Sequence, residues 1–215
     1  MEREEWLQLL SQQRILAVIR APSLQAGVAM AKAVEAGGLR LIEVTWTSVQ
    51  PAHLVAHLRE HLPGCYVGAG TLLTLNALEE AISAGAQFGF SPHTDPELIE
   101  QAQHHGCPFV PGALTPTEIV TAWQRGASGV KVFPITAVGG ADYVRNLQGP
   151  LGHIPLIPTG GVTAMNAADL IRAGATAVGL ASSLFPTQAV KTQDWAQITA
   201  QTKQLRRQLE PSRPD

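Results

Sequence analysis

A regular alternation of short apolar segments with longer amphipathic segments constrains the fold of this chain more than any other feature. Eight apolar runs, among them ILAVI, LRLIEV and GVKVF, begin at residues 15, 39, 65, 87, 108, 129, 154 and 176. The stretches between them have helical periodicity, and several end on Gly, a common helix stop. A strand followed by a helix, repeated eight times, predicts an α/β protein with parallel strands.

The repeat fits a single domain that covers residues 1–215. We predict a (β/α)8 TIM barrel over about residues 14–186, with an extra N-terminal helix at about 1–12 and a C-terminal helix at about 188–210. The alternative is an open doubly wound sheet, which usually has a Gly-rich turn after its first strand. The segment ILAVIRAPS lacks such a turn, so the barrel is favoured.

Charge and composition narrow the possible partners. With a formal net charge of −2, the chain has no basic stripe for nucleic acid or an anionic membrane. The acidic start MEREEWLQLLSQQR does not resemble a signal peptide, and no apolar run reaches the roughly 20 residues of a membrane helix. We therefore expect a cytoplasmic protein that acts on a small molecule.

The segment GVKVFP places a lysine, Lys131, inside a run that otherwise suits a buried strand. An ammonium group is costly there, whereas a neutral amine in a dry cavity is a nucleophile that can form a Schiff base. Alternatively, Lys131 reaches out from the strand end or anchors an anion. Glu43, near the end of LRLIEV, could move the protons that imine formation requires, or simply neutralise Lys131 or Arg20.

The segment PTGG follows the seventh predicted strand and offers free backbone N–H groups beside a helix start. Barrels that bind phosphate use the loops after strands seven and eight, and the loop after strand eight contains the small residues Ala181, Ser182 and Ser183. A Gly-Gly pair can also be only a tight turn. In this position, the pattern indicates a phosphate site.

Several motifs occur in the order known from one enzyme family. They are IEVT (42–45), GAGT (68–71), SP (91–92), PG (111–112), KVFP (131–134) and PTGG (158–161), followed by the serine-bearing loop at 181–183. Together they resemble the 2-keto-3-deoxy-6-phosphogluconate (KDPG) aldolases, which include the 4-hydroxy-2-oxoglutarate (KHG) aldolases. The resemblance implies a metal-independent class I aldolase without a cofactor, a homotrimer of barrels, and a place in the Entner–Doudoroff pathway.

The resemblance also implies a role for each matched residue. Lys131 corresponds to the Schiff-base lysine and Glu43 to the general acid and base. The implied substrate-binding residues are Thr71, Pro92 and Phe133 at the pyruvate end and Thr159, Gly160, Gly161 and Ser182 at the phosphate end.

One position departs from the family pattern. Many members have an arginine, which anchors the substrate carboxylate, where this chain has Thr47. A branch that resembles the 2-keto-3-deoxy-6-phosphogalactonate aldolases also lacks it and has an arginine after the first strand, as Arg20 is here. We hypothesise that Arg20 and Thr71 hold the carboxylate; a surface ion pair is the alternative role of Arg20.

Two other functions are compatible with these residues. A phosphosugar isomerase or epimerase could use Lys131 only as a positive charge, and a non-catalytic barrel could bind phosphorylated metabolites without turnover. The histidines His53, His57 and His61 recur every four residues, but no third ligand from a strand end accompanies them, so we predict no metal site.

Overall fold

Short parallel strands, each followed by a helix, form the core of the protein. The structure is a computed structural model that describes residues 1–210, so the last five residues of the predicted domain, 211–215, lie outside it. The strands are β1 (Ile15–Ile19), β2 (Leu41–Thr45), β3 (Tyr66–Gly70), β4 (Gly89–Phe90), β5 (Phe109–Val110), β6 (Gly112–Ala113), β7 (Val130–Val132), β8 (Leu156–Pro158) and β9 (Val178–Leu180).

The α-helices within residues 1–210 are α1 (Arg3–Gln13), α2 (Leu24–Ala36), α3 (Pro51–His61), α4 (Leu75–Ser83), α5 (Pro96–His104), α6 (Pro116–Gln124), α7 (Ala141–Leu151), α8 (Ala167–Arg172), α9 (Thr187–Lys191) and α10 (Trp195–Leu209). A 3-10 helix, Ile135–Val138, follows β7. Among these residues no helix has both the length and the apolar character needed to cross a membrane. The prediction of an α/β protein with parallel strands is confirmed.

The strands pair in two curled parallel sheets, ordered β5-β4-β3-β2-β1-β9 and β6-β7-β8. Eight strands are predicted, but the fifth is divided at Pro111, because proline has no N–H to donate to a strand ladder. Val110 pairs with β4, whereas Gly112 pairs with Lys131 of β7. The chain thus passes from one sheet to the other at Pro111.

Both faces of the sheet are buried, which places polar strand residues in a dry environment. Ile15, Ala17 and Ile19 of β1 pack with the helices, and Leu16 and Val18 belong to a second cluster on the opposite face. We call this opposite face the inner face. Its members include large aromatic and aliphatic side chains contributed by several strands, namely Leu41, Phe88, Phe90, Val110 and Ile157.

Helix α1 packs onto one end of the inner face. Trp6 is fully buried, and its ring centroid lies 4.7 Å from that of Phe88 and 6.3 Å from that of Phe90. Leu10 is also fully buried in this cluster. The apolar side of α1 therefore covers the aromatic part of the inner face.

The C-terminal helix differs from its prediction. A single helix over about 188–210 is expected, but the structure has α9 and α10 with a break between them. Gln193 has a φ of 56°, which no continuing α-helix allows, and the Asp194 side chain accepts a hydrogen bond from the Gln197 backbone N–H at 3.0 Å. Asp194 is therefore the N-cap of a new helix, α10, and α9 ends before it.

Candidate active site

Two ionisable side chains, Lys131 and Glu43, lie on the inner face of the sheet. Val130 and Val132 pack with the helices, so Lys131 between them points the other way, as the period of two along a strand predicts. The strand neighbours of Glu43 are likewise packed with the helices. Lys131 is 5% exposed and Glu43 1% exposed. The fold therefore buries an amine and a carboxyl on one surface.

The carboxyl group of Glu43 has an unusual environment. Burial raises its pKa above the ordinary value of 4.5, and the positive charges of Lys131 and Arg20 act in the opposite direction. Neither carboxyl oxygen has a hydrogen-bond partner within residues 1–210. No ion pair of 4.0 Å or less joins Glu43 to Lys131 or Arg20 in this part of the chain. Glu43 is thus available for proton transfer and is not committed to a structural pair.

Space for the Glu43 side chain comes from a glycine on the neighbouring strand. A Cβ atom added to Gly70 would lie 1.8 Å from Oε1 of Glu43 and 2.3 Å from its Cδ. No side chain other than hydrogen fits there unless the carboxyl group moves. Gly70 therefore fixes where the carboxyl group can lie.

Two aromatic rings lie near the amine of Lys131, and Pro92 lies near Gly112 on the neighbouring strand. Nζ of Lys131 lies 5.2 Å from the ring centroid of Phe133 and 5.9 Å from that of Phe90. Lys131 pairs in register with Gly112, and a Cβ on Gly112 would lie 2.3 Å from the carbonyl group of Pro92. Phe133 and Pro92, both predicted from the sequence, are therefore close to Lys131. Phe133 is 36% exposed, so its ring stands at the edge between the amine and solvent.

The glycine loop after β8 lies beside Phe133. Gly160 and Gly161 have φ values of 86° and 80°, a region that favours glycine. A Cβ on Gly160 would be 3.0 Å from the Phe133 ring, and one on Gly161 would be 2.5 Å from the Thr136 side chain. Thr159, just before them, is buried and bridges to Gly179 of β9.

The prediction that these glycines open a helix is wrong. Helix α8 begins only at Ala167, because Asn166 and Thr163 first form a turn in which the Thr163 N–H donates to Asn166 Oδ1 at 2.8 Å. Asn166 Nδ2 also donates to the Gly161 carbonyl at 3.1 Å. The N–H groups that could meet an anion are therefore those of the loop and not those of a helix start.

The loop after β9 lies next to the glycine loop. Ser183 Oγ donates to the Val162 carbonyl at 2.8 Å, which fastens the two loops together. Ser182 is exposed and, with Arg20, lines a cavity of about 570 Å³. Thr47 and Lys191 also line this cavity.

Arg20 is exposed at the end of β1, and its Nε donates to Thr47 Oγ1 at 3.2 Å. Its side chain therefore contacts Thr47, the residue that departs from the expected family pattern. A surface ion pair, the alternative role, is absent at 4.0 Å or less in the described part of the chain. Thr71, directly after β3, has a φ of 58°, which is a genuine outlier for a β-branched residue. Such strain is typical of functional sites.

Sequence reasoning picks out Thr45 and Thr47 as polar residues at the end of a predicted strand, but not Ser48 or the contacts among the three hydroxyl groups. Thr45 and Ser48 are buried, and their oxygens lie 3.3 Å apart. The only sequence signal is that polar residues follow the buried strand LIEVT directly.

Residues 1–210 contain no group of three His, Cys, Asp or Glu side chains that could hold a metal ion. His57 and His61 stack with their ring centroids 4.0 Å apart, and His61 Nδ1 lies 2.9 Å from the His57 carbonyl oxygen. His61 is exposed on helix α3, away from the inner face.

Comparisons with known proteins agree on one enzyme family. The family model described as "Aldolase: KDPG and KHG aldolase" matches residues 7–201. The 2-dehydro-3-deoxy-phosphogluconate aldolase of Treponema pallidum is 32% identical over 195 residues, which cover 91% of this chain and 93% of that protein. The KHG/KDPG aldolase of Escherichia coli (strain K12) is 32% identical over 185 residues, covering 86% and 87% of the two chains.

A solved structure extends the similarity to the fold. The KDPG aldolase of Legionella pneumophila, with pyruvate captured at low pH as a covalent carbinolamine intermediate, superposes with a TM-score of 0.87. Its sequence is 26% identical, and the match covers 93% of this chain and 97% of that one.

Proposed function

Since this chain belongs to the KDPG and KHG aldolase family, we propose that it cleaves KDPG to pyruvate and glyceraldehyde 3-phosphate through a Schiff base on Lys131. Relatives of the chain are named as KDPG aldolases and as KHG/KDPG aldolases, and the enzyme is accordingly a lyase. One observation carries the assignment of the nucleophile. Within residues 1–210, Lys131 is a buried lysine without an ion pair, on the same face as a buried carboxyl group without a hydrogen-bond partner.

Lys131 acts first. In its neutral form, the amine adds to the C2 ketone of the substrate, and loss of water from the carbinolamine gives an iminium ion. The iminium accepts the electron pair of the C3–C4 bond when the proton of the C4 hydroxyl group is removed. Glyceraldehyde 3-phosphate leaves, the enamine is protonated at C3, and hydrolysis frees pyruvate and the amine.

Glu43 moves the protons in this sequence. Formation and dehydration of the carbinolamine need a group that first takes up and then gives back a proton near the amine. A carboxyl group whose pKa is raised by burial can hold a proton at a higher pH than an ordinary glutamate. Its two oxygens, which have no hydrogen-bond partner in the described part of the chain, can reach the substrate directly or through water.

The remaining site residues bind the two ends of the substrate. Arg20 and Thr71 hold the carboxylate, while Phe133 and Pro92 keep the amine dry. Gly160, Gly161, Ser182 and Thr159 bind the phosphate end. Binding energy from this distant phosphate can position C4 for cleavage. The fastening of the two phosphate loops by Ser183 supports this assignment.

The site requires that the strands form one closed (β/α)8 barrel within a single domain, 1–215. The divided fifth strand links the two sheets on one side. On the other side, Thr159 bridges to Gly179, and the Thr176 N–H donates to the Leu156 carbonyl at 2.9 Å. Helix α1 is then the extra N-terminal helix, which covers the end of the barrel opposite the active site.

Homotrimer formation and a cytoplasmic location stay predictions. Exposed apolar side chains that follow β2 and β3, namely Val49 and Leu73 on loops and Leu75 at the start of α4, are candidates for a contact between copies of this chain. The choice among KDPG, 2-keto-3-deoxy-6-phosphogalactonate and KHG depends on how the site recognises the configuration at C4 and the anionic group at the far end of the substrate.

Borohydride reduction in the presence of pyruvate tests the mechanism. We expect a reduced pyruvate adduct on Lys131 by peptide mass spectrometry, and a loss of pyruvate release in Lys131→Ala for all three keto acids. Lys203→Ala, which removes an exposed lysine of α10, is the matched control and should be trapped normally. An enzyme that releases pyruvate but is trapped at another residue, or not at all, would contradict the assignment.

A further inference from the structure

Both peptide groups that flank Arg20 bond to a single hydroxyl group. The N–H of Ala21 donates to Ser48 Oγ at 3.0 Å, and Ser48 Oγ donates to the carbonyl of Ile19 at 3.4 Å. Ser48 is buried, so water does not compete for these bonds. The backbone on either side of Arg20 is therefore held by one side chain from the loop after β2.

The side chain of Arg20 joins the same group of hydroxyls from the other direction. Arg20 Nε donates to Thr47 Oγ1 at 3.2 Å, and Thr47 Oγ1 donates to Thr45 Oγ1 at 3.2 Å. Thr45 Oγ1 lies 3.3 Å from Ser48 Oγ. The hydrogen bonds thus form a closed path that leaves Arg20 by its side chain and returns to its backbone.

The donors and acceptors of this path are mutually consistent. A hydroxyl has one proton to donate and two lone pairs that accept. Because Ser48 donates to Ile19, Thr45 must be the donor in its contact with Ser48, and Thr45 then accepts from Thr47. Each hydroxyl donates once, so no proton is contested. We call Thr45, Thr47 and Ser48 the hydroxyl circuit.

The hydroxyl circuit adjoins the reacting groups. Thr45 follows Glu43 by two residues in β2, so the two side chains share the inner face. Arg20 is close enough to act on the charge of Glu43. An exposed arginine otherwise samples many rotamers, and a guanidinium fixed in advance loses less freedom when it binds a carboxylate.

We propose that the hydroxyl circuit of Thr45, Thr47 and Ser48 positions Arg20 to bind the carboxylate of the keto acid, and thereby sets the preference for keto acids over neutral ketones. The three hydroxyls are positioning residues, because they act through Arg20. This proposal rests on the proposed function, in which Lys131 forms the Schiff base.

Trapping two ketones tests the hydroxyl circuit. Pyruvate has a carboxylate and acetone does not, while both can form an imine with Lys131. We expect Thr47→Val and Ser48→Ala to raise the pyruvate concentration that gives half-maximal trapping by about 2- to 10-fold, the size expected for one lost hydrogen bond. Trapping by acetone should change little. Thr47→Ser keeps the hydroxyl and should restore the wild-type ratio of pyruvate to acetone trapping.

Thr47 and the exposed Thr117 of α6 make a matched pair, so Thr117→Val should leave the ratio unchanged. In the background of Arg20→Ala, Thr47→Val should have no further effect, since the group that it positions is gone. Thr47 is exposed, so its variant keeps the test valid even if Ser48→Ala folds poorly.

The two failures are distinguishable. If the wild-type enzyme is not trapped at Lys131, the proposed function fails. If it is trapped but Thr47→Val leaves the ratio of pyruvate to acetone unchanged, or lowers trapping of both ketones equally, the positioning role of the hydroxyl circuit is wrong.

Discussion

At the scale of single residues, Glu43 combines two properties that are costly for stability and useful for chemistry. It is 1% exposed, and neither of its carboxyl oxygens has a hydrogen-bond partner in the described chain. Desolvation disfavours the charged form of an acid, which is why burial raises its pKa. Folding therefore opposes ionisation of the group that we propose as both acid and base.

This opposition predicts a pH dependence of stability. In the unfolded chain, Glu43 ionises at its ordinary pKa of 4.5, whereas in the folded protein it ionises at a higher pH. Above pH 4.5 the unfolded state binds fewer protons, so the free energy of unfolding falls as the pH rises through the raised pKa. Glu43→Gln lacks this loss, and urea unfolding should show that its stability relative to wild type increases as the pH is raised above 4.5.

Glu118 provides a control of opposite sign. Backbone N–H groups of Leu114 and Thr115 donate to its carboxylate, and they lower its pKa. Its contribution is present above its ordinary pKa of 4.5 and is lost as the pH falls, so the deficit of Glu118→Gln should shrink towards acid pH. A Glu43→Gln variant that tracks wild type at every pH would contradict the buried-acid interpretation.

Gly70 predicts how tightly the carboxyl group is placed. In Gly70→Ala, the added Cβ would overlap Oε1 of Glu43, so the carboxyl group must move while the backbone can stay. We expect kcat/KM to fall about 100-fold, the cost of a displacement near 1 Å at a reacting group. Gly64→Ala, whose new Cβ would meet nothing within 4 Å, is the matched control. Wild-type activity in Gly70→Ala would refute this placement.

At this scale the sequence indicated Lys131 and Glu43 as candidate site residues and Thr45 and Thr47 as polar strand-end residues, but it did not indicate Ser48 or the contacts that join the hydroxyl circuit. Lys131 and Glu43 interrupt apolar runs, so a few residues of sequence reveal them. The backbone partners of Ser48, at Ala21 and Ile19, lie 27 and 29 residues away in the chain, and no local pattern predicts such contacts.

At the scale of elements, the covering of one end of the inner face by helix α1 depends mainly on one side chain. Trp6→Ala removes a fully buried ring that packs on Phe88 and Phe90, and we expect a loss of about 3–5 kcal/mol in the free energy of unfolding. Chemical denaturation measures this loss. Gln8→Ala, on the exposed side of the same helix, should change stability by less than about 0.5 kcal/mol. A loss below about 1 kcal/mol in Trp6→Ala would mean that α1 contributes little.

Local pattern predicted where strands occur, but not how they divide or where the last helix breaks. Pro111 was visible in the sequence, yet its effect depends on two different partner strands, β4 and β7. The break at Gln193 depends on a left-handed backbone and on Asp194 as a cap. Hydrophobic periodicity alone therefore does not predict the division of the fifth strand or the break in the C-terminal helix.

At the scale of the whole molecule, the alternation predicted the class of fold because each strand–helix unit is local. The assembly of several copies is not local, and it stays a prediction. Val49, Leu73 and Leu75 are 48%, 54% and 38% exposed; the first two lie on loops after the neighbouring strands β2 and β3, and Leu75 is the first residue of α4. Burying such side chains against another copy would remove them from water.

Introducing negative charge at Leu73 and Leu75 tests whether copies of this chain assemble through these side chains. We expect wild-type protein to sediment as a trimer and the double variant Leu73→Glu, Leu75→Glu to sediment as a smaller species. Met165→Glu, which changes a residue that is 90% exposed on another loop, should leave the sedimentation unchanged. A wild-type monomer, or a double variant that stays trimeric, would contradict a contact through these side chains.

The packing of Trp6 against Phe88 and Phe90 also bears on the order of events during turnover. In the closed barrel that we propose, α1 covers one end, so substrate and products pass through the opposite end, where Arg20 and Phe133 are exposed. The pyruvate fragment is still bound to Lys131 in the proposed mechanism, so it cannot leave before glyceraldehyde 3-phosphate has left. We expect the product inhibition that this ordered release predicts: pyruvate competes with the substrate, whereas glyceraldehyde 3-phosphate does not.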